Sequence, residues 1–256
     1  MNNKDKANID DTLTRTMNAA VEKEAVASNK NSKNITAVDK DKLALIKESY
    51  KAIRTNLILS LPQGGCHKIV ISSAVLGEGK STTSANLATS LAQTDKKVLL
   101  IDADLRKPSI YSSMGFSNTP GFTNVLTGLS TLEEAVNDTA FPNLDVLCAG
   151  ISVPNPGELL ACEATAKFIE SLEEKYDYIL FDTPPINVVA DVLPIIRMSD
   201  GVVLVVRQNY STYPEISRAK QSIEFIGGKI LGFVFNDVED DRFTKNKYGR
   251  YGKYYK

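Results

Sequence analysis

A chain of 256 residues corresponds to about one and a half typical domains, which predicts a single core with accessory segments. Hydrophobic residues make up 43% and charged residues 24%, values that exclude a fully disordered or fibrous chain. Thirty basic and thirty-one acidic residues give a net charge of −1, so the composition offers no case for a nucleic-acid partner. No apolar run approaches the ~20 residues of a membrane-spanning helix, and the first residues lack the apolar core of a secretion signal.

Three widely separated cysteines and a single histidine narrow the chemistry further. Cys66, Cys148 and Cys162 show no C-x-x-C spacing, which is typical of reduced thiols and indicates a cytoplasmic protein. One imidazole, His67, is too few for a histidine-rich zinc site, and no nearby motif supports a hydrolase triad.

Three segments of the chain differ in composition. Residues 1–40 contain no glycine, proline or aromatic residue and few apolar ones, so we expect a flexible N-terminal arm. Residues 41–241 form the predicted folded domain, which opens with apolar residues at helical spacing from Asp41 to Pro62. Residues 242–256 carry six basic residues, no acidic ones and four tyrosines, which predicts a flexible C-terminal tail.

Within the folded domain, short apolar strands alternate with helical stretches. The predicted strands are Lys68–Ser72, Val98–Ala103, Leu144–Leu147, Tyr178–Phe181, Gly201–Val206 and Ile230–Phe235. The predicted helices after the first are Ser81–Gln93, Leu132–Val136, Pro156–Glu174, Ala190–Met198 and Tyr213–Ile226. The strands are nearly continuous in Val, Ile and Leu, which indicates burial on both faces. The pattern predicts an α/β fold with a mostly parallel sheet and helices on both faces.

A phosphate-binding loop is predicted where the first of these strands meets a helix. The residues read AVLGEGKS from Ala74 to Ser81, a Walker A motif with alanine in place of the usual first glycine. In such a loop the backbone N–H groups and the helix N-terminus face the anion, which makes the fold P-loop NTPase-like. Lys80 would reach the β- and γ-phosphates and the Ser81 hydroxyl would bind Mg²⁺. The predicted nucleotide-binding residues are Gly77, Glu78, Gly79, Lys80, Ser81 and Thr82.

Three aspartates at strand ends complete the predicted site. Asp102 and Asp104 end the strand of VLLIDADLRKP, and Asp182 ends the strand of YILFDTPP, as a Walker B carboxylate does. The carboxyl ends of parallel strands meet at the edge of the sheet where ligands bind. Each aspartate alone could be a helix or turn cap. Three of them beside a phosphate loop favour a magnesium-nucleotide site.

The roles of two further residues stay open at this point. Arg106, next to the aspartate pair, could contact phosphate or substrate or could pair with a nearby carboxylate. Asn236, at the end of the last strand, could hydrogen-bond an adenine base or have a simple turn role.

These motifs resemble those of the bacterial tyrosine kinases, in the form in which the cytoplasmic kinase is a separate chain. The resemblance rests on GEGKS, LLIDADLRKP, ILFDTPP and the tail YGRYGKYY, and it spans residues 41–256. It implies an ATP- and Mg²⁺-dependent protein-tyrosine kinase that governs capsular or extracellular polysaccharide synthesis. The implied phosphoacceptors are Tyr248, Tyr251, Tyr254 and Tyr255.

The resemblance also implies partners. They are a homo-oligomeric ring whose subunits phosphorylate each other's tails, a cognate phosphotyrosine phosphatase, and a membrane adaptor of the polysaccharide co-polymerase type. That adaptor would activate the kinase and recruit it to the inner face of the membrane. The family's oligomerisation motif E-x-x-R-x-x-R reads here as Glu48, Lys51 and Arg54, and lysine lacks the bidentate fork of arginine.

Phosphoryl-transfer chemistry then predicts a role for each site residue, because catalysis rests on positioning and charge neutralisation. Lys80 and the loop amides hold the phosphates, while Ser81, Asp104 and Asp182 organise Mg²⁺. Asp102 is the predicted base that accepts the tyrosine proton, and an exchange of roles between Asp102 and Asp104 stays open.

Two other functions are possible on the same fold. A partition or septum-positioning ATPase carries a signature lysine early in the loop, where this chain has Val75. A non-catalytic export adaptor would bind ATP without turnover, which the intact set of Lys80, Ser81 and three aspartates argues against. The basic tail has its own alternatives, a merely solvated terminus or a weak membrane-surface anchor.

Overall fold

The computed structural model describes residues 37–238, which form one seven-stranded sheet with helices on both faces. The strands are β1 His67–Ser73, β2 Val98–Asp102, β3 Val136–Asp138, β4 Leu144–Leu147, β5 Tyr178–Asp182, β6 Gly201–Arg207 and β7 Ile230–Asn236. Their order in the sheet is β3-β4-β2-β5-β1-β6-β7. All neighbours are parallel except β3, which runs antiparallel to β4. The predicted α/β fold with a mostly parallel sheet is confirmed.

Helices connect the strands and cover both faces of the sheet. They are α1 Ala37–Ser60, α2 Lys80–Ala92, α3 Ile110–Met114, α4 Phe122–Leu126, α5 Leu132–Ala135, α6 Pro156–Ala161, α7 Glu163–Ser171, α8 Leu193–Arg197 and α9 Tyr213–Phe225, with a 3₁₀ turn at Ala190–Val192. None of the helices between residues 37 and 238 has the length and apolar character that crossing a bilayer requires.

Two apolar clusters, one on each face of the sheet, form the core. Successive side chains of a strand point to opposite faces, so Val70 of β1 belongs to one cluster while its neighbours Ile69 and Ile71 belong to the other. The cluster around Ile69 and Ile71 includes Leu87 of α2. The cluster around Val70 includes Ile223 of α9. Burial on both faces explains why the strands read as continuous apolar runs.

The structure differs from the predicted elements at several boundaries. The first helix begins at Ala37, four residues before Asp41, so the predicted boundary of the arm at residue 40 falls inside α1. The predicted helix Leu132–Val136 ends at Ala135, and the next three residues form the edge strand β3. The short helices α3 and α4 were not predicted.

The predicted helix Pro156–Glu174 is two helices, because the chain turns to an extended conformation at Cys162, where φ is −74° and ψ is 155°. The Thr165 hydroxyl donates a hydrogen bond to the Leu159 carbonyl at 2.6 Å, across the break. Most of the predicted arm and the whole predicted tail, including its four tyrosines, lie outside the described residues.

Candidate active site

The phosphate-binding loop joins β1, an inner strand of the sheet between β5 and β6, to α2 at the carboxyl edge of the sheet. Gly77 and Gly79 have φ values of +80° and +87°, in the left-handed region that favours glycine. Space is also short at Gly79, where a Cβ atom would lie 2.1 Å from Nδ2 of Asn236. Asn236 in turn donates a hydrogen bond to the Glu78 carbonyl at 2.9 Å. The loop therefore requires glycine at position 79 for both its backbone conformation and its packing.

The side chain of Glu78 is buried behind the loop. Its Oε2 accepts a hydrogen bond from the Val75 N–H at 2.9 Å. Its Oε1 accepts one from the Arg207 N–H at 3.3 Å and another from the Ser211 hydroxyl. These contacts tie the loop to the connection between β6 and α9. The Glu78 carboxylate thus fixes the conformation of the loop through contacts within the protein.

Lys80 and two of the aspartates meet at the first turn of α2. The Lys80 ammonium lies 3.4 Å from Oδ2 of Asp104, and both side chains are largely buried. Oδ1 of Asp182 accepts a hydrogen bond at 2.9 Å from the hydroxyl of Ser84, one helical turn after Lys80. Complete burial raises the pKa of Asp182 above its ordinary value, while the Lys80 ammonium and the Ser81 and Ser84 hydroxyls act in the opposite direction.

Asp102 lies beside Asp182, because the two residues are register partners at the ends of the adjacent strands β2 and β5. Its Oδ1 accepts the Asp104 N–H at 3.2 Å, and its Oδ2 accepts the N–H groups of Ser109 and Ile110 at 2.9 and 3.0 Å. Burial, together with the charge of Asp182, raises the pKa of Asp102 to about 7, against the lowering effect of these N–H contacts. Asp102 therefore organises the loop after β2 and also has a carboxylate that can gain a proton near neutral pH.

The residues around Lys80 suit a magnesium ion that is bound together with phosphates. In the described part of the chain, Oδ2 of Asp182 is buried without a hydrogen-bond partner, so this oxygen is available to a ligand. No three acidic, histidine or cysteine side chains among these residues come together in a way that could hold a metal. Mg²⁺ ordinarily takes only one or two carboxylates and completes its shell with substrate phosphates and water. Ser81, Asp104 and Asp182 fit that requirement.

A cleft of about 430 Å³ opens next to the loop, between α1, α2 and the ends of β6 and β7. Its lining includes Gly77, Gly79 and the exposed Thr82 of the loop region, and Tyr50 of α1. Three of the six predicted nucleotide-binding residues, Gly77, Gly79 and Thr82, thus border an open space large enough for part of a ligand.

The structure separates the three residues of the predicted oligomerisation motif. Glu48 and Lys51 are exposed and form an ion pair with each other at 3.2 Å. Arg54 instead contacts its own domain, donating a hydrogen bond to the Ser90 carbonyl of α2 at 2.5 Å. Two of the three side chains are therefore accessible to a second copy, and the third docks α1 against α2.

Several residues of the site were not singled out from the sequence. Ser84 could have been found from its helical spacing, since it lies four residues after Lys80 on the same side of α2. Asp191, which pairs with Arg106, lies in the 3₁₀ turn Ala190–Val192, and Ser211, which contacts Glu78, lies in the loop before α9. No local sequence pattern indicates either partner.

The phosphate loop, the buried lysine and the strand-end aspartates together define a P-loop nucleotide-binding protein. Comparison with known proteins agrees, since the family described as AAA domain matches residues 66–229. The chain is 39% identical over 220 residues to the tyrosine-protein kinase YwqD of Bacillus subtilis, covering 86% of this chain and 92% of that protein. The chain therefore belongs to the bacterial tyrosine kinases.

Solved structures give the same relationship. The crystal structure of the chimerical protein CapA2B2 is 35% identical and superimposes with a TM-score of 0.72 over 75% of this chain and 85% of that chain. The septum site-determining protein MinD of Pyrococcus horikoshii, in complex with Mg-ADP, is 27% identical with a TM-score of 0.57, over 66% of this chain and 70% of that chain. The fold is thus shared with a septum site-determining protein, while the family assignment rests on the higher sequence identity to the tyrosine kinases.

Proposed function

We propose that this chain transfers the γ-phosphoryl group of ATP to the tyrosines of its C-terminal tail, in trans between subunits of a homo-oligomer. The observation that carries the proposal is the meeting of Lys80, Asp104 and the unpartnered Asp182 oxygen at the phosphate loop. A P-loop with this carboxylate set supports nucleotide binding, and membership of the tyrosine kinases supports tyrosine as the acceptor.

Each residue then has a task in the transfer. The backbone N–H groups of the loop, the N-terminus of α2 and the Lys80 ammonium would hold the phosphates. When Mg²⁺ is bound, held by Ser81, Asp104 and Asp182, it supplies charge neutralisation to the phosphates. The cleft beside Gly79 and Thr82 receives the nucleoside part of ATP.

Asp102 is proposed as the base that takes the proton of the tyrosine hydroxyl. Its raised pKa supports this role, because a base works best when its pKa is near the working pH. The exchange of roles with Asp104 is the alternative, and Asp104 is the more accessible of the two, at 3% against 0% exposed. Replacing each by asparagine and measuring Mg·ADP affinity apart from autophosphorylation separates them. Poor Mg·ADP binding by the Asp102→Asn protein would assign the metal-binding role to Asp102.

The tail suits the role of substrate for a neighbouring subunit. It carries six basic residues, which a site rich in carboxylates attracts. Each phosphate adds about −1.5 to −2 charges at pH 7, so four phosphates bring the +6 segment to about zero or slightly negative. We propose that this change loosens the oligomer. Native mass spectrometry should therefore show smaller assemblies for the phosphorylated chain than for one with four Tyr→Phe substitutions.

Control of polysaccharide synthesis through a membrane adaptor completes the proposal. The family resemblance supports it, as does the similarity of this chain to the chimerical protein CapA2B2. Recruitment to the inner face of the membrane, and reversal by a phosphotyrosine phosphatase, follow from the same resemblance.

The deciding experiment is a mixing assay with two full-length variants and the cytoplasmic segment of the adaptor. One variant is Lys80→Met with all four tail tyrosines, and the other keeps Lys80 but has the four Tyr→Phe substitutions. With Mg·ATP, phosphotyrosine should appear on the Lys80→Met chain, because only a neighbouring subunit with an intact Lys80 can catalyse the transfer from ATP to its tail. Phosphotyrosine on the wild-type chain alone, and none in the mixture, would rule out transfer in trans.

A further inference from the structure

Arg106 and Asp191 form an ion pair next to the site. Arg106 donates from both Nε and a terminal nitrogen to the two carboxylate oxygens of Asp191, the second contact measuring 3.2 Å. Asp191 is buried, with 8% of the residue exposed, whereas half of the Arg106 side chain is exposed. Gly157 of α6 packs against the same carboxylate, since a Cβ there would lie 2.9 Å from Oδ1 of Asp191. The pair thus joins the loop after β2 to the segment after β5 and to α6.

The loop that carries Arg106 also carries Asp104. Asp102 accepts the N–H groups of Asp104 and Ser109 in this loop and that of Ile110, the first residue of α3. Within the loop, Oδ1 of Asp104 accepts the Lys107 N–H at 3.0 Å. Oδ2 of Asp104 lies 3.4 Å from the Lys80 ammonium. Arg106 lies two positions after Asp104, so an anchor at Arg106 holds the same short loop that places Asp104 at the phosphate site.

We infer that Arg106 and Asp191 are positioning residues that hold Asp104 at the Mg²⁺ side of Lys80. This inference rests on the proposed role of Asp104 in organising Mg²⁺. A bidentate arginine–carboxylate pair fixes direction as well as distance, which a single-point contact does not. Because Asp191 lies on the segment that follows β5, the pair also keeps the loop bearing Asp104 in register with the strand that ends at Asp182.

The test compares nucleotide binding with and without the metal. Isothermal titration calorimetry measures ADP affinity in EDTA and in Mg²⁺ for three full-length variants, Arg106→Gln, Asp191→Asn and Arg106→Lys. Groups that orient metal-binding residues typically change metal affinity about 10- to 100-fold. We therefore expect Arg106→Gln and Asp191→Asn to keep their ADP affinity in EDTA within about twofold and to lose about 10- to 100-fold in Mg²⁺. Arg106→Lys should recover part of this loss.

Two controls make the outcome specific. Lys175→Gln breaks the exposed ion pair between Lys175 and Glu133, which are remote in sequence from the site loops. This variant should bind ADP with unchanged affinity both in EDTA and in Mg²⁺. Asp104→Asn tests the underlying role directly. If Asp104→Asn loses Mg²⁺-dependent affinity while Arg106→Gln and Asp191→Asn keep it, the positioning inference is wrong and the proposed function stands. If Asp104→Asn also keeps it, the proposed metal role of Asp104 fails, and the inference fails with it.

A purely structural role would give a different pattern. It would lower ADP affinity equally in EDTA and in Mg²⁺, or lower the thermal midpoint alone, and either result would overturn the inference. Arg106→Lys retains the charge beside the buried Asp191 carboxylate, so it covers the case in which Arg106→Gln does not fold. For Arg106→Lys, a smaller loss of ADP affinity that occurs only in Mg²⁺ supports the inference.

Discussion

Replacing Gly79 by alanine tests the geometry of the phosphate-binding loop. An L-residue in the left-handed region costs about 1–2 kcal/mol, and φ at Gly79 is +87°. The added Cβ would lie 2.1 Å from Nδ2 of Asn236, so Asn236 must move and its hydrogen bond to the Glu78 carbonyl is lost. That bond contributes about 0.5–1.5 kcal/mol. We therefore expect Gly79→Ala to lower the free energy of unfolding by about 1.5–3.5 kcal/mol, the sum of the two effects.

Gly64 provides a matched control, because φ there is +80° while no atom lies within 4 Å of the position that a Cβ would occupy. Gly64→Ala should show the backbone cost alone, about 1–2 kcal/mol, and should bind ADP normally. Gly79→Ala should bind ADP at least tenfold more weakly, roughly 1.4 kcal/mol, because displaced loop N–H groups no longer face the phosphates. Urea denaturation measures the free energy of unfolding, and isothermal titration calorimetry measures the ADP affinity.

A third variant isolates the steric part. Asn236→Ala removes both the clashing atoms and the hydrogen bond to Glu78. Adding Gly79→Ala to that variant should therefore lower the free energy of unfolding only by the cost of the left-handed backbone conformation, as at Gly64. The reasoning would be refuted if Gly79→Ala cost no more than Gly64→Ala and still bound ADP with the affinity of the unmodified chain.

Three other changes have definite expected outcomes. Asp182→Asn should raise the stability of the nucleotide-free protein and weaken Mg·ADP binding about 10- to 100-fold. Because burial raises the pKa of Asp182 in the folded state, the unmodified chain loses stability as pH rises through that pKa. The amount by which Asp182→Asn exceeds the unmodified chain in stability should therefore be larger at pH 8 than at pH 5. Arg54→Ala should lower the free energy of unfolding in urea by about 1–2 kcal/mol, since the Ser90 carbonyl loses its charged donor, whereas Lys51→Ala should change it by less than about 0.5 kcal/mol. Iodoacetamide at pH 7.5 should alkylate Cys162 before Cys148, because a hydroxyl contact lowers the pKa of Cys162 and burial raises that of Cys148 to about 12.

Each of these expectations has a clear contrary result. An Asp182→Asn protein that is less stable than the unmodified chain at pH 8 would contradict the burial argument. Equal stability losses for Arg54→Ala and Lys51→Ala would show that the contact between Arg54 and α2 contributes nothing. Peptide mapping that finds Cys148 modified first would contradict the order of thiol reactivity.

The apolar pattern of the sequence was enough to predict six of the strands between residues 37 and 238. Strands buried on both faces must be apolar throughout, so their extent is visible in the residues themselves. The strand β3 was missed because three residues, Val136–Asp138, carry no periodicity, and they form a strand only by pairing with β4. The break at Cys162 was also missed, because it depends on a local competition between the Thr165 hydroxyl and the helical backbone.

By itself the sequence determined which residues stand at the ends of the strands: the glycine-rich loop after β1, Asp102 at the end of β2 and Asp182 at the end of β5. Tertiary structure alone decided which side chains meet there. Glu78 turns behind its loop to contact Ser211, and Arg106 pairs with Asp191, 85 residues away. Strand order brings such partners together, and that order depends on the packing of the whole chain. A run of neighbouring residues therefore predicts a strand or a loop, but not the distant group that its side chain will contact.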